Sequence, residues 1–148
     1  MLQLDQNIIE LESIDSTNNY LSKLISTTNV PNGTVILARN QTDGRGQREN
    51  KWESEPNKNI AISIYLDLNN LEIKDNFYAS MIMANSIHQF LIKYSEDVVI
   101  KWPNDILIKD KKICGILVEN TVQGKFVKYC ISGIGININQ EYFNKKFP

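Results

Sequence analysis

The chain is poor in the residues that build metal centres and disulfide frameworks. It holds two cysteines and one histidine in 148 residues. Cys114 and Cys130 sit inside apolar runs, without Cys-x-x-Cys spacing or a histidine cluster, so zinc and dithiol redox chemistry lack a donor set. They read as small buried hydrophobes of a reducing compartment. His88 stands alone on the longest expected helix and reads as structural or solvated. Neither sign of charge is in excess. Lys and Arg total 16 against 17 Asp and Glu, a net charge of -1, which argues against a general nucleic-acid binder and a polybasic membrane patch. No apolar run is long enough to span a bilayer, and residues 1–10 lack the basic start and apolar stretch of a signal peptide. A cytoplasmic protein is expected. No repeat, low-complexity tract or linker divides the chain, and its length fits one domain with its own core.

What is present is a regular alternation of short elements. Residues 7–11 suit a strand. Ser16 or Asp15 can then cap a helix whose buried stripe is Tyr20, Leu21, Leu24 and Ile25. Pro31-Asn32-Gly33 makes a turn into a strand at 34–38. From Asn59, Ile60, Ile62, Ile64 and Leu66 alternate with Ala61, Ser63, Tyr65 and Asp67, the period of a strand. Residues 77–94 predict the longest helix, with Phe77, Met81, Ala84, Ile87 and Leu91 inward. Strands follow at 98–101, 106–109 and 111–119, the last two joined by a tight charged turn at 109–112. A turn at 121–124 leads into a final strand at 125–139. Strands joined by short turns favour an antiparallel sheet with helices packed on one side, an α+β domain.

Three segments carry chemistry. Residues 40–58 form a polar stretch with no period, and long loops of this kind are functional or disordered. Within it, Gln41-Thr42-Asp43-Gly44-Arg45-Gly46-Gln47-Arg48 places two glycines where backbone N–H groups can approach a ligand. Arg39, Arg45, Arg48 and Lys51 crowd the short stretch 39–51 and make it locally positive, and arginines can grip carboxylate or phosphate oxygens. Trp52 adds a flat apolar surface suited to a base ring. The string lacks the third glycine of a dinucleotide fingerprint, and no phosphate-binding P-loop occurs elsewhere. A solvated loop with chance charges is the alternative. In Lys101-Trp102-Pro103-Asn104-Asp105, Pro103 belongs at an edge, bulge or strand end. Asn104 and Asp105 then face either a ligand with its Mg²⁺ or nothing more than a turn with a packed Trp102. In the last strand Ile134, Ile136 and Ile138 share one face, and Gly133, Gly135, Asn137 and Asn139 the other. The glycine face leaves room for something flat, or is merely solvated. A turn at 121–124 that sets Asn120 opposite Lys125 would bring Lys112 opposite Gly133.

Taken in order, Ser13-Ile14-Asp15-Ser16-Thr17-Asn18, Gln41…Gly44-Arg45-Gly46, the segment 101–105, Lys112-Ile113-Cys114-Gly115-Ile116-Leu117-Val118-Glu119 and Gly133-Ile134-Gly135-Ile136-Asn137 resemble the catalytic domain of biotin–protein ligases, the biotin–[acetyl-CoA-carboxylase] ligases. The resemblance implies that residues 1–148 form one catalytic domain akin to class II aminoacyl-tRNA synthetases, with a mixed, largely antiparallel sheet backed by helices. It implies activation of biotin by Mg-ATP to biotinoyl-5′-AMP, then transfer to a lysine of a biotin carboxyl carrier protein domain. Arg45 and Lys112 would be catalytic, neutralising the carboxylate and α-phosphate. Ser16, Thr17, Asn18, Gln41, Gly44 and Gly115 would join them in binding biotin. Arg48, Trp52, Asn104, Asp105, Gly133, Gly135 and Asn137 would bind the nucleotide, Asp105 also the Mg²⁺. The loop around 45–52 would order over the intermediate. Three departures stand out: Gln47 where many relatives have arginine, Glu49 at a position commonly glycine, and a chain that stops at 144–148, before the further helices and small β-rich domain usual in the family. No N-terminal helix-turn-helix precedes the domain, so neither repression nor nucleic-acid binding is expected. The oligomeric state is open, a homodimer included. Two other readings remain: a truncated core that holds biotin or biotinoyl-AMP with weak turnover, and a relative of the lipoate ligases or octanoyl transferases.

Overall fold

The computed structural model describes residues 7–143. Its frame is a seven-stranded sheet in the order β1-β2-β3-β7-β6-β5-β4. Strand β1 (Ile8–Leu11) leads through helix α1 (Thr17–Thr27) to β2 (Val35–Ala38), and the helical crossover makes β1 and β2 parallel. All other neighbours are antiparallel. The long strand β3 (Asn59–Glu72) passes through a single 3-10 turn (Ile73–Asp75) into α2 (Phe77–Leu91). Then come β4 (Val98–Lys101), β5 (Asp105–Ile108), β6 (Lys111–Gln123) and β7 (Phe126–Asn137). A mixed, largely antiparallel sheet backed by helices is therefore what the chain forms.

The helices do not share one side of that sheet. On β7, Ile134 and Ile136 pack with Met83, Ala84, Ile87 and Leu91 of α2 and with Cys114 and Ile116 of β6. Ile131, of opposite parity, packs with Leu21 of α1 and Ile36 of β2. Alternate residues of a strand face opposite ways, so α1 and α2 cover opposite faces. The central strands are apolar on both, and each face needs its own cover. Helix α2 also turns differently from the expected stripe. Phe77 and Met81 are exposed, while Ala79, Met83, Ala84, Ile87 and Leu91 are buried. Its apolar residues surround much of the helix, so periodicity leaves the buried face to be chosen by the sheet beneath.

Turn chemistry sets the register. Lys109 and Asp110 both have positive φ, as the two central residues of a type I′ hairpin must. They let β5 and β6 meet across two residues. At the next hairpin Gly124 has φ of 62°, and the turn is again two residues, with Gln123 opposite Phe126. Because the strands run closer to this turn than expected, Asn120 faces Cys130, and Leu117, rather than Lys112, faces Gly133.

Cys114 and Cys130 are fully buried free thiols. No helix among the described residues is long and apolar enough to cross a membrane, and the stop at 144–148 lies outside the described residues. Burial pushes the Cys114 thiol from its ordinary 9.0 up to about 12, outweighing the opposite pull of Lys112. In the unfolded chain this thiol ionises near pH 9, whereas in the folded one it stays protonated, so its contribution is intact below pH 9 and is lost as pH rises towards 12. Urea denaturation between pH 8 and pH 11 is expected to show stability falling above about pH 9, with a shallower fall in Cys114→Ala.

Candidate ligand and catalytic site

The site begins where three adjacent strands carry almost no side chains. Gly135 on β7 lies between Ala61 on β3 and Gly115 on β6, and Gly133 lies between Ser63 and Leu117. All face the α1 side of the sheet. The face does hold something flat, and it is the protein's own Trp52. A Cβ at Gly135 would sit 2.2 Å from the Trp52 ring, and one at Gly115 would sit 2.7 Å from it. At Gly133 a Cβ would lie 2.4 Å from Asn18 Oδ1. The bare floor thus seats an indole and an amide, each closer than any side chain would allow.

The N-terminus of α1 forms a polar wall beside this floor. Ser16 occupies the N-cap position in extended conformation, with no capping bond from its hydroxyl. Ser16, Thr17 and Asn18 are all buried. A parallel bridge between Ile14 and Gln41 brings the second segment in. Gln41 Oε1 accepts from the Thr17 backbone N–H at 2.8 Å and from the Thr17 hydroxyl at 3.0 Å. The Ser63 hydroxyl has both Thr17 Oγ1 and Asn18 Oδ1 within reach and donates its one proton to either. The Asp15 carboxyl is held below its usual value, chiefly by the Asn19 amide and next by the Ser16 N–H.

A cation enters from the other side because of a bulge. Along β5–β6, Ile106 faces Cys114 but Leu107 faces Lys112, leaving Ile113 as an extra residue. Without it Lys112 would share the parity of Cys114 and point into the α2 core. With it, Lys112 shares the face of Asp105, and bulges re-aim side chains in this way. Lys112 Nζ lies 2.8 Å from Asp105 Oδ1, a charge contact outside hydrogen-bond angles, with the two side chains 23% and 19% exposed. The same Nζ stands 5.6 Å from the Trp52 ring centroid. Asn137 donates to the Lys112 carbonyl at 3.2 Å and pins the bulge. Pro103 falls in the β4–β5 turn, and Asn104 joins β6 through its backbone oxygen (2.8 Å from Ile116 N) and its side-chain amide (3.2 Å from Ile116 O). Trp102 is not packed but 72% exposed.

The segment expected to be a loop closes as a small hairpin. Trp52 N–H donates to Gly44 O, Gly46 N–H donates to Asn50 O, both at 2.8 Å, and Arg45 bridges Lys51. The Trp52 carbonyl fills the space that a side chain at Gly44 would need. Arg45 reaches Glu119 with Nη2 at 2.6 Å and Nη1 at 3.2 Å, and Asn19 Oδ1 at 2.8 Å. Together these parts enclose a cavity of about 280 Å³. Of the residues singled out by sequence, Ser16, Thr17, Asn18, Gln41, Arg45, Trp52, Asn104, Asp105, Lys112, Gly115, Gly133 and Gly135 line it. Gly44, Arg48 and Asn137 do not. Arg48 is exposed at the hairpin tip with positive φ. Among the described residues, Asp105 is the only carboxylate on the lining, and no cluster of three metal-binding side chains exists.

Residues 10–137 match the Biotin/lipoate A/B protein ligase family. The chain belongs to that family. It is 34% identical over 139 residues to the bifunctional ligase/repressor BirA of Bacillus spizizenii, covering 93% of this chain and 42% of BirA. Its fold matches the biotin protein ligase of Aquifex aeolicus, solved in complex with biotin and ATP, with a TM-score of 0.76 and 32% identity over 95% of this chain and 56% of that one. The biotin acetyl coenzyme A carboxylase synthetase of Helicobacter pylori, solved with bound biotinylated ATP, gives 0.70 and 26%, covering 93% and 64%. The chain thus spans about half the length of these ligases.

Several residues of this family member's site escaped the sequence reading. Leu117 and Ser63 share the parity of the floor glycines and could have been placed by counting in twos. Lys51, Lys101 and Gln47 also line the cavity; the sequence names them in the positive stretch, in the segment 101–105 and as a departure from the family, without assigning them to the site. Glu119 has the parity of Gly115, yet its significance needs the Arg45 contact. Replacing Gly135 by alanine is expected to evict the indole. In a Trp102→Phe background, Gly135→Ala should shift Trp52 fluorescence to the red, whereas Lys125→Ala, an exposed position in the distant β6–β7 turn, should leave it in place.

Proposed function

We propose that this chain activates biotin with ATP and passes it to a lysine of a biotin carboxyl carrier protein domain. The observation that carries the reading is the composition of one cavity: a buried amide-and-hydroxyl wall, a side-chain-free floor under an indole, and Lys112 and Arg45 at its edges. The wall suits the polar head of biotin through Ser16, Thr17, Asn18 and Gln41, with Gly115 as backbone contact. Two anions must then meet, so the work is neutralisation and alignment. A carboxylate oxygen of biotin attacks the α-phosphorus, the bond to the β-phosphate oxygen breaks, and pyrophosphate leaves. Lys112 and Arg45 offset the charge on the carboxylate and α-phosphate. The carrier amine then attacks the mixed anhydride, releasing AMP and a proton.

Trp52, Asn104, Asp105, Gly133 and Gly135 are the nucleotide side of this proposal, while Arg48 and Asn137 join it from the hairpin tip and the bulge. Trp52 Nε1 and Asn137 Oδ1 are buried without a hydrogen-bond partner among the described residues; the indole lines the cavity and Asn137 stands behind it at the bulge, so nucleotide contact would require the hairpin and bulge to shift on binding. A single carboxylate already facing Lys112 suits a magnesium ion carried in on the triphosphate, with Asp105 as its protein contact. The reading is tested by incubating the protein with biotin, Mg-ATP and a carrier domain, then measuring pyrophosphate and the intact mass of the carrier. Expected are biotin-dependent pyrophosphate and a carrier heavier by one biotinoyl group. Lys112→Ala should slow pyrophosphate release by about 10²-fold. Biotin binding by calorimetry without pyrophosphate release would leave only a binding protein.

A further inference from the structure

Glu119 lies two residues beyond Leu117 on the same face of β6, at the rim of the cavity, and no step above uses it. Its carboxylate gathers two of the cavity's residues. It accepts from Asn18 Nδ2 at 2.7 Å and from both terminal nitrogens of Arg45. The Asn18 amide is thereby oriented from both ends, since its oxygen faces the Ser63 hydroxyl. For Arg45 the consequence is directional. A guanidinium has five N–H groups arranged as two forks. Glu119 takes the Nη1–Nη2 fork end-on, and Asn19 Oδ1 takes the remaining Nη1 hydrogen at 2.8 Å. The Nε–Nη2 fork is left without an acceptor among the described residues, on a residue that lines the cavity.

We infer that Glu119 is a positioning residue: by holding one fork of Arg45 it presents the other to an incoming anion, and by holding Asn18 it keeps the biotin wall in register with the Gly44–Trp52 hairpin. The inference rests on the ligase reading for its anion, but the hairpin contact can be read without it. Glu119→Gln keeps an acceptor for Asn18 and loses the charge that clamps Arg45, whereas Glu119→Ala loses both. Glu119 is partly exposed, so both variants should fold, which thermal melting checks.

Two measurements separate positioning from a mere surface ion pair. In limited trypsinolysis, cleavage after Arg45, Arg48 or Lys51 should be about fivefold faster in Glu119→Gln than in wild type. In biotin-dependent pyrophosphate exchange, Glu119→Gln should lower kcat by about fivefold or more with the biotin KM little changed, while Glu119→Ala should also raise KM. Equal cleavage and equal kcat in Glu119→Gln and wild type would overturn the inference. If wild type shows no exchange at all while Glu119→Gln is cleaved faster, the clamp on the hairpin stands and the ligase reading is what fails.

Discussion

The site depends on an absence of side chains where β3, β6 and β7 run side by side. Gly115 opposite Gly135, with Ala61 beyond, clears a strip of backbone three strands wide. Trp52 sits closer to it than a methyl group permits, as Asn18 does over the neighbouring Gly133. Backbone groups in the middle of a sheet are already paired in the ladder, so this surface offers contact area and little polarity. The ligand-orienting polarity must come from the edges: the N-terminus of α1 on one side, the bulge of β6 on the other.

Three of the cations that line the cavity face carboxylates before any ligand enters. Arg45 has Glu119, Lys112 has Asp105, and Lys51 has Asp43. A half-buried cation without a partner would be costly to hold, and these carboxylates remove that cost. Being partly exposed, such pairs contribute only about 0–1 kcal/mol each, so an arriving phosphate or carboxylate can share or displace them. The arrangement suits a centre that must gather anions transiently and then release them.

Much of this was legible in sequence because strands speak plainly in steps of two. The alternation from Ile60 to Asp67 gave β3, and the same parity separated Gly133 and Gly135 from the isoleucines that meet α2. Order along the chain gave the five segments that meet in the cavity. Register was less legible. It is set by positive φ at Lys109, Asp110 and Gly124 and by one extra residue at Ile113, and a bulge has no signature in a run of apolar residues. The expected pairing of Lys112 with Gly133 failed because the β6–β7 turn is two residues, at Gly124 and Lys125, and the separate bulge at Ile113 brought Lys112 beside the floor by another route. The sidedness of the helices was hidden because β7 is apolar or small on both faces. Trp52 was read as a cover for a ligand. That it packs on the glycine strand required knowing how the hairpin folds back.

The distances along the chain between partners have a consequence for how the domain behaves as a whole. Asn18 and Glu119 are 101 residues apart, Arg45 and Glu119 are 74 apart, and Asn137 reaches back 25 to Lys112. No local fragment can preassemble these contacts, so the cavity comes into being only when both ends of the sheet have joined. A molecule seated there would act as a rivet through the topology. Its binding energy would be added to the global unfolding equilibrium rather than to the stability of one loop, tying occupancy of the site to the cohesion of the whole domain.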